Sequence, residues 1–190
     1  TCSVGVVGEN DFVSSLAADD HAGFLELVNT HNGFNNRFTN TAFTTSPQSI
    51  LGYSVSVSSL FGEGYVLCGN STEFLDPIFS SGVTLAVASG YDASELTAKE
   101  LAGEEVCWKT EYEDKIWKGI DVFRSYVNSW YDGDLQKIFF ADKIDPIMKH
   151  QICSVLSGHV WDENNPFVTK HKRIISMLAQ VIDIHNKTKA

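Results

Sequence analysis

Between Gly64 and Gly90 the chain carries Asp, Pro, Ser and Gly at a spacing that could build a ligand-binding helix start. The run Leu75-Asp76-Pro77-Ile78-Phe79-Ser80-Ser81-Gly82 sets a small polar pair between a proline and a glycine. Val83, Leu85, Ala86, Val87 and Ala88 follow with no breaker before Gly90, which predicts a helix. Ser80 or Ser81 would cap it, with unpaired N–H groups and the positive end of the helix dipole facing outward. Such an end attracts anions or electron-rich carbonyl groups. The plainer alternative is a buried strand-to-helix connection with a routine serine cap, because caps far outnumber ligand sites.

The elements that must position this stretch read as follows. Tyr65-Val66-Leu67-Cys68 is an apolar run compatible with a buried strand, and Gly69-Asn70 suits a tight turn at its end. From Ser49 to Leu60, serines alternate with Leu51, Tyr53, Val55 and Val57, a period of two that predicts a strand with one wet face. Phe61-Gly62-Glu63-Gly64 would turn it back as a hairpin. Ser3–Val7 reads as an opening strand, so Thr1 would fall within a strand and the chain is expected to be a fragment or a processed product. Asp19-Asp20 offers a cap for an amphipathic helix through Phe24, Leu25, Leu27 and Val28. His21 and His31 flank that helix as a catalytic pair or, more ordinarily, as solvated helix-end histidines. Residues 32–47 read as loop, and Arg37, the one Lys or Arg before Lys99, is either a phosphate contact or a surface ion-pair partner.

Beyond Gly103 the pattern turns helical. Tyr112, Ile116, Ile120, Phe123, Val127 and Trp130 recur at spacings of three and four, the mark of one buried helical face, and Asp132-Gly133 stops it. Asp145-Pro146 starts another helix with Ile147, Ile152, Val155 and Leu156 inward. Ile174, Leu178, Val181, Ile182 and His185 form a last amphipathic one.

Composition bounds the function. With 43% hydrophobic and 20% charged residues, the 190-residue chain reads as globular and long enough for an adequate core. A net charge of −10 argues against nucleic acid or an anionic membrane surface as the main partner. No run reaches membrane-spanning length. Cys2, Cys68, Cys107 and Cys153 lack metal-like spacing and read as buried thiols of a reducing compartment, which fits the cytoplasm.

The segment Gly69-Asn70-Ser71-Thr72-Glu73-Phe74-Leu75-Asp76-Pro77-Ile78-Phe79-Ser80-Ser81-Gly82-Val83 resembles the second FAD-binding signature of flavin-dependent halogenases and related monooxygenases, G-D-A-x-x-F-x-D-P-x-F-S-S-G-V. The helix leading into Trp130-Tyr131-Asp132-Gly133 and the segment Ser154–Trp161 with Asn165-Pro166-Phe167 are also similar to that family. The resemblance implies an α+β chain, the C-terminal portion of a hydroxybenzoate-hydroxylase-like FAD-dependent oxidoreductase fold. Residues 1–102 would form part of the FAD-binding and substrate region, and residues 103–190 a helical region.

It further implies FAD, reduced by a separate flavin reductase, with Gly69, Asn70, Asp76, Pro77, Phe79, Ser81, Gly82 and Val83 at the cofactor and Ser81 and Gly82 as halide contacts. The substrate would be a small or carrier-bound organic molecule. In such enzymes reduced FAD reacts with oxygen, and a Lys relays the oxidised halide. That Lys, the Gly-rich turn and a Trp-x-Trp-x-Ile-Pro strand find no match here, so no catalytic residue is assigned. Where the family carries Asp, Asn70 keeps a carbonyl acceptor and loses a charge, worth about 1 kcal/mol of charge-assisted bonding. Thr84 stands where a His is common. Two other functions stay open on sequence alone: an FAD-dependent reductase of prenyl-type or other apolar substrates, and a non-catalytic interaction module of the same fold. Without a Gly-rich turn for the phosphates, the isolated chain should bind FAD weakly or not at all. Gel filtration of the chain mixed with FAD checks this, and co-elution of stoichiometric flavin would refute it.

Overall fold

The structure, a computed structural model, describes residues 2–15, 21–31, 33–34, 37–38, 41 and 44–189. It comprises two compact units, Thr1–Tyr53 and Ser54–Ala190. In the first, α1 spans Asn10–Ser15 and α2 His21–Thr30, the latter as the apolar periodicity predicts. The proposed cap Asp19-Asp20 lies outside the described residues. Ser3–Val7 forms no strand. Val4, Val6 and Val7 favour extended backbone, but a strand exists only where another pairs with it.

The second unit holds β1 (Val55–Ser56), β2 (Phe61–Gly62), β3 (Tyr65–Val66), β4 (Glu73–Phe74), α3 (Gly82–Leu101), α4 (Asp114–Tyr131), α5 (Asp134–Phe139), α6 (Pro146–Leu156), α7 (Pro166–Thr169) and α8 (His171–Lys189). β2 and β3 make a hairpin, with Phe61 opposite Val66 and Gly62 opposite Tyr65, so two of the residues expected in its turn are strand residues and only Glu63 and Gly64 turn the chain. The long strand expected over Ser49–Leu60 is absent. Only Val55 and Ser56 pair, antiparallel with Phe74 and Glu73. The strand and helix content fits an α+β chain weighted heavily toward helix.

α4 is the centre of the core. Ile116, Ile120, Phe123 and Val127 are buried, as their spacing predicts, and so is Tyr126, while Trp130 is half-buried; beside them lie Leu85, Ala93 and Leu96 of α3, Leu135 and Ile138 of α5, and Ile175, Ala179 and Ile182 of α8. Gly133 adopts φ 86°, open to glycine at little cost, and stops α4 where the sequence places the stop. Asp145 caps α6 through the N–H groups of Ile147 and Met148, with Pro146 in the first turn.

Three inward assignments fail, those of Ile147, Val181 and the exposed His185. Ile147 is 68% and Val181 59% exposed, because α6 and α8 bury faces centred on Ile152 with Val155 and on Ile175 with Ala179. The thiols also differ from expectation: Cys2, Cys107 and Cys153 are exposed and Cys68 is half-buried.

A π-helical turn, Lys109–Glu113, leads into α4 and aims two consecutive side chains at the hairpin. The buried Glu113 carboxylate accepts from Leu60 N–H at 2.7 Å and Ser59 Oγ at 2.9 Å, while Lys109 Nζ lies 2.6 Å from its other oxygen. Tyr112 donates its hydroxyl to Leu67 O, and Leu67 N–H bonds Leu60 O at 2.7 Å. Burial alone would raise the Glu113 pKa. The bonds from Lys109, Leu60 and Ser59 outweigh burial and hold it below the ordinary carboxylate range.

The stabilising contribution of Glu113 is therefore full above the unfolded glutamate pKa of about 4.3 and is lost as pH falls through its lower folded value. Glu113→Gln should cost about 2 kcal/mol near neutrality and flatten the acid limb of stability against pH. Urea titrations at a series of pH values measure both effects.

Candidate functional site

Two loops and one helix end build the site. The first loop is a 3-10 turn over Gly69–Ser71, in which Ser71 Oγ donates to Cys68 O at 2.6 Å and accepts from Cys68 N–H at 3.1 Å. The second is a 3-10 turn over Pro77–Phe79. Asp76 caps it by accepting Ile78 N–H at 3.0 Å, and Pro77 sits in its first position, where fixed φ suits the turn. The second oxygen of Asp76 accepts the Tyr131 hydroxyl at 2.9 Å, so the loop is anchored to the last turn of α4. Phe79 meets the Trp130 ring edge-on at 5.7 Å and the Phe139 ring at 6.5 Å.

Ser80 then takes φ 53°, the one positive φ among the described residues other than glycine, and swings the chain into α3. Left-handed serine stores about 1–2 kcal/mol of strain, a cost that concentrates at functional turns.

The helix starts where the sequence predicts, but by a different device. Ser81 occupies the cap position, is buried, and makes no side-chain cap bond. The first turn of α3 therefore receives no cap from Ser81, and it carries no acidic side chain to repel an anion. The helix also runs through Gly90 to Leu101.

Gly82 is exposed, and a Cβ built on it would meet only Asn70 Oδ1, at an ordinary 3.5 Å. Among the described residues, none requires glycine there. Such a smooth, exposed helix start fits a planar or anionic group approaching from outside. Val83, next in line, is 75% exposed.

The predicted residues thus fall into two groups that meet. Gly69 and Asn70 lie against the start of α3, while Asp76, Pro77 and Phe79 hold the turn that leads into Ser81, Gly82 and Val83. Sequence reasoning missed the residues that support them: Tyr112, Ser89, Tyr131 and the Arg124–Glu73 ion pair. That pair closes at 2.9 Å with Glu73 buried, and ties β4 to α4. Tyr112 appeared in the sequence only as a member of a buried stripe and Tyr131 only within the Trp130–Gly133 resemblance, because their partners lie tens of residues away and leave no local signal. Of the other candidates, Arg37 is exposed, and His31 accepts Gly33 N–H at 3.2 Å beside the Phe34 ring. Thr84 packs its side chain against Gly158.

No family model matches the chain. It is 27% identical over 161 residues to the 1H-pyrrole-2-carbonyl-[peptidyl-carrier protein] chlorinase of Pseudomonas fluorescens, covering 84% of this chain and 35% of that protein. It is 26% identical over 167 residues to the corresponding brominase of Pseudoalteromonas luteoviolacea, covering 85% and 40%. It is also 29% identical over 120 residues to a flavin-dependent halogenase of Aspergillus carbonarius, covering 57% of this chain and 24% of that protein. The chain spans well under half the length of these curated relatives. Among solved structures, a flavoprotein/dehydrogenase from Cytophaga hutchinsonii superposes with a TM-score of 0.89 at 44% identity, over 94% of this chain and 44% of that one. Among the described residues no helix is long and apolar enough to cross a membrane.

The bond between Asp76 and Tyr131 is the contact on which the second loop turns. Tyr131→Phe should cost about 1 kcal/mol, and Asp76→Ala about 2 kcal/mol, because the latter also removes the turn cap. The double variant should fall short of the sum, since the two share one bond. Denaturant midpoints of the four proteins test this.

Proposed function

We propose that this chain is the C-terminal, flavin-side part of a halogenase or related monooxygenase of the hydroxybenzoate-hydroxylase type. The observation that carries the reading is the exposed, smooth start of α3 at Gly82, uncapped by Ser81 and flanked by Asn70. It lies in the segment that resembles the flavin signature, within a chain related to flavin-dependent halogenases. In this reading Gly69, Asn70, Asp76, Pro77, Phe79, Ser81, Gly82 and Val83 serve the FAD side of the site. Asp76, Pro77 and Phe79 do so by holding the loop. Asn70 presents an amide to a ligand hydroxyl, and the first-turn N–H groups face an electron-rich atom.

When bound, reduced FAD supplies the reaction with oxygen that halogenation or hydroxylation requires. The backbone at Ser81 and Gly82 offers halide a place, through donors that cost no reorganisation. The substrate is a small or carrier-bound organic molecule. The relatives named for pyrrole held on a peptidyl-carrier protein favour an aromatic acyl group. A separate flavin reductase would supply the electrons, and the cytoplasm is the compartment proposed.

Gly82→Val in the full-length protein tests the assignment. A Cβ at this position meets no backbone, so the fold should survive with a melting temperature within a few degrees of the parent. Turnover with reduced flavin, oxygen and halide should vanish. Ser81→Ala should cost less, because the proposed contacts run through the backbone. Normal turnover by Gly82→Val would remove the helix start from the site.

A further inference from the structure

The loop bearing Gly69 and Asn70 is held from beneath by two buried hydroxyls that come from two different helices. Ser89 of α3 is wholly buried, and its Oγ donates to Leu85 O at 2.6 Å while accepting Gly69 N–H at 2.8 Å. A helical serine commonly bonds back to the carbonyl four residues earlier and does nothing more. Here the same oxygen also satisfies a loop N–H that no water reaches.

From the other side Tyr112, also wholly buried, donates to Leu67 O, with its oxygen 3.6 Å from Cys68 Sγ. Burial raises the phenol pKa well above its usual value, so the hydroxyl keeps its proton as a donor at all ordinary pH. The carbonyl before Cys68 and the N–H after it are therefore each pinned. Packing supplies the third constraint. Gly69 has φ 58°, and a Cβ there would press on Ala86 Cβ at 3.3 Å.

These contacts set the loop along α3 as if against a ruler. Ser89 stands seven residues beyond Gly82, close to the same helix face and about 10 Å along the axis. Gly69 is bonded at the Ser89 end, and Asn70 faces the Gly82 end. We infer that Ser89 and Tyr112 are positioning residues of the proposed flavin site, fixing the gap between Asn70 and the first turn of α3. This rests on the flavin reading above. It goes beyond it by assigning the geometry of the site to two buried side chains outside the set proposed to contact the cofactor.

The experiment compares the full-length protein with Ser89→Ala, Ser89→Cys, Tyr112→Phe and, as a core control away from the loop, Phe123→Leu. FAD affinity is read by quenching of flavin fluorescence, the bound flavin's absorbance spectrum is recorded, and melting temperature is measured without flavin. Ser89→Ala should weaken FAD binding roughly tenfold, the effect of about one hydrogen bond, and shift the bound flavin's spectrum. Tyr112→Phe should act in the same direction, and Ser89→Cys should recover part of the loss. Phe123→Leu should lower the melting temperature by a similar amount while changing FAD affinity less than about twofold, since sites without shared partners act independently. If Ser89→Ala and Tyr112→Phe melt lower but bind FAD as the parent does, the two residues are merely structural and the inference falls alone. If the unmutated full-length protein binds no FAD, the flavin reading falls and takes this inference with it.

Discussion

Residues 59–79 carry most of the candidate site on turns between strands of two residues each, too short to hold a shape by sheet pairing. What holds them is one helix and the turn that leads into it. Along this single axis Glu113 grips Ser59 and Leu60, Tyr112 grips Leu67, Arg124 grips Glu73, and Tyr131 grips Asp76. The 18 residues of α4 span about 27 Å, so these grips fall at its start, middle and end. The apolar face of the same helix is the hub of the core. Burial fixes the helix, and its polar side chains then fix the loops.

The π-helical turn is part of this arrangement. A regular α-helix turns about 100° between neighbouring residues, so Tyr112 and Glu113 would diverge. In this turn both reach the residues that flank the hairpin, Glu113 on the Leu60 side and Tyr112 on the Leu67 side. Single π-helical turns are rare and recur at functional sites.

Much of this was legible from local signals. Asp145-Pro146 starts α6 and Gly133 ends α4 because capping and backbone freedom depend on neighbouring residues alone. The three-four spacing of α4 survives for the same reason. The alternation from Ser49 to Leu60 misled because a period of two describes a surface, whereas a strand needs a second chain segment beside it, and only Val55 and Ser56 find one. The sequence placed the start of α3 and misassigned its cause, crediting a serine cap where a left-handed Ser80 does the turning. The long-range polar bonds were invisible. Tyr131 and Asp76 are 55 residues apart, and nothing in either neighbourhood names the other.

The reliance of residues 59–79 on polar grips, while the helices rest on apolar burial, implies a division in how the molecule comes apart. A segment with short strands and few buried apolar side chains opens at lower free energy than the helical core beneath it. Its amides would then exchange with solvent as one cooperative group, before those of α4 and α8. A ligand seated on that segment adds its binding energy to the weakest layer, so the region least able to hold itself closed is the one that cofactor occupancy would stabilise most.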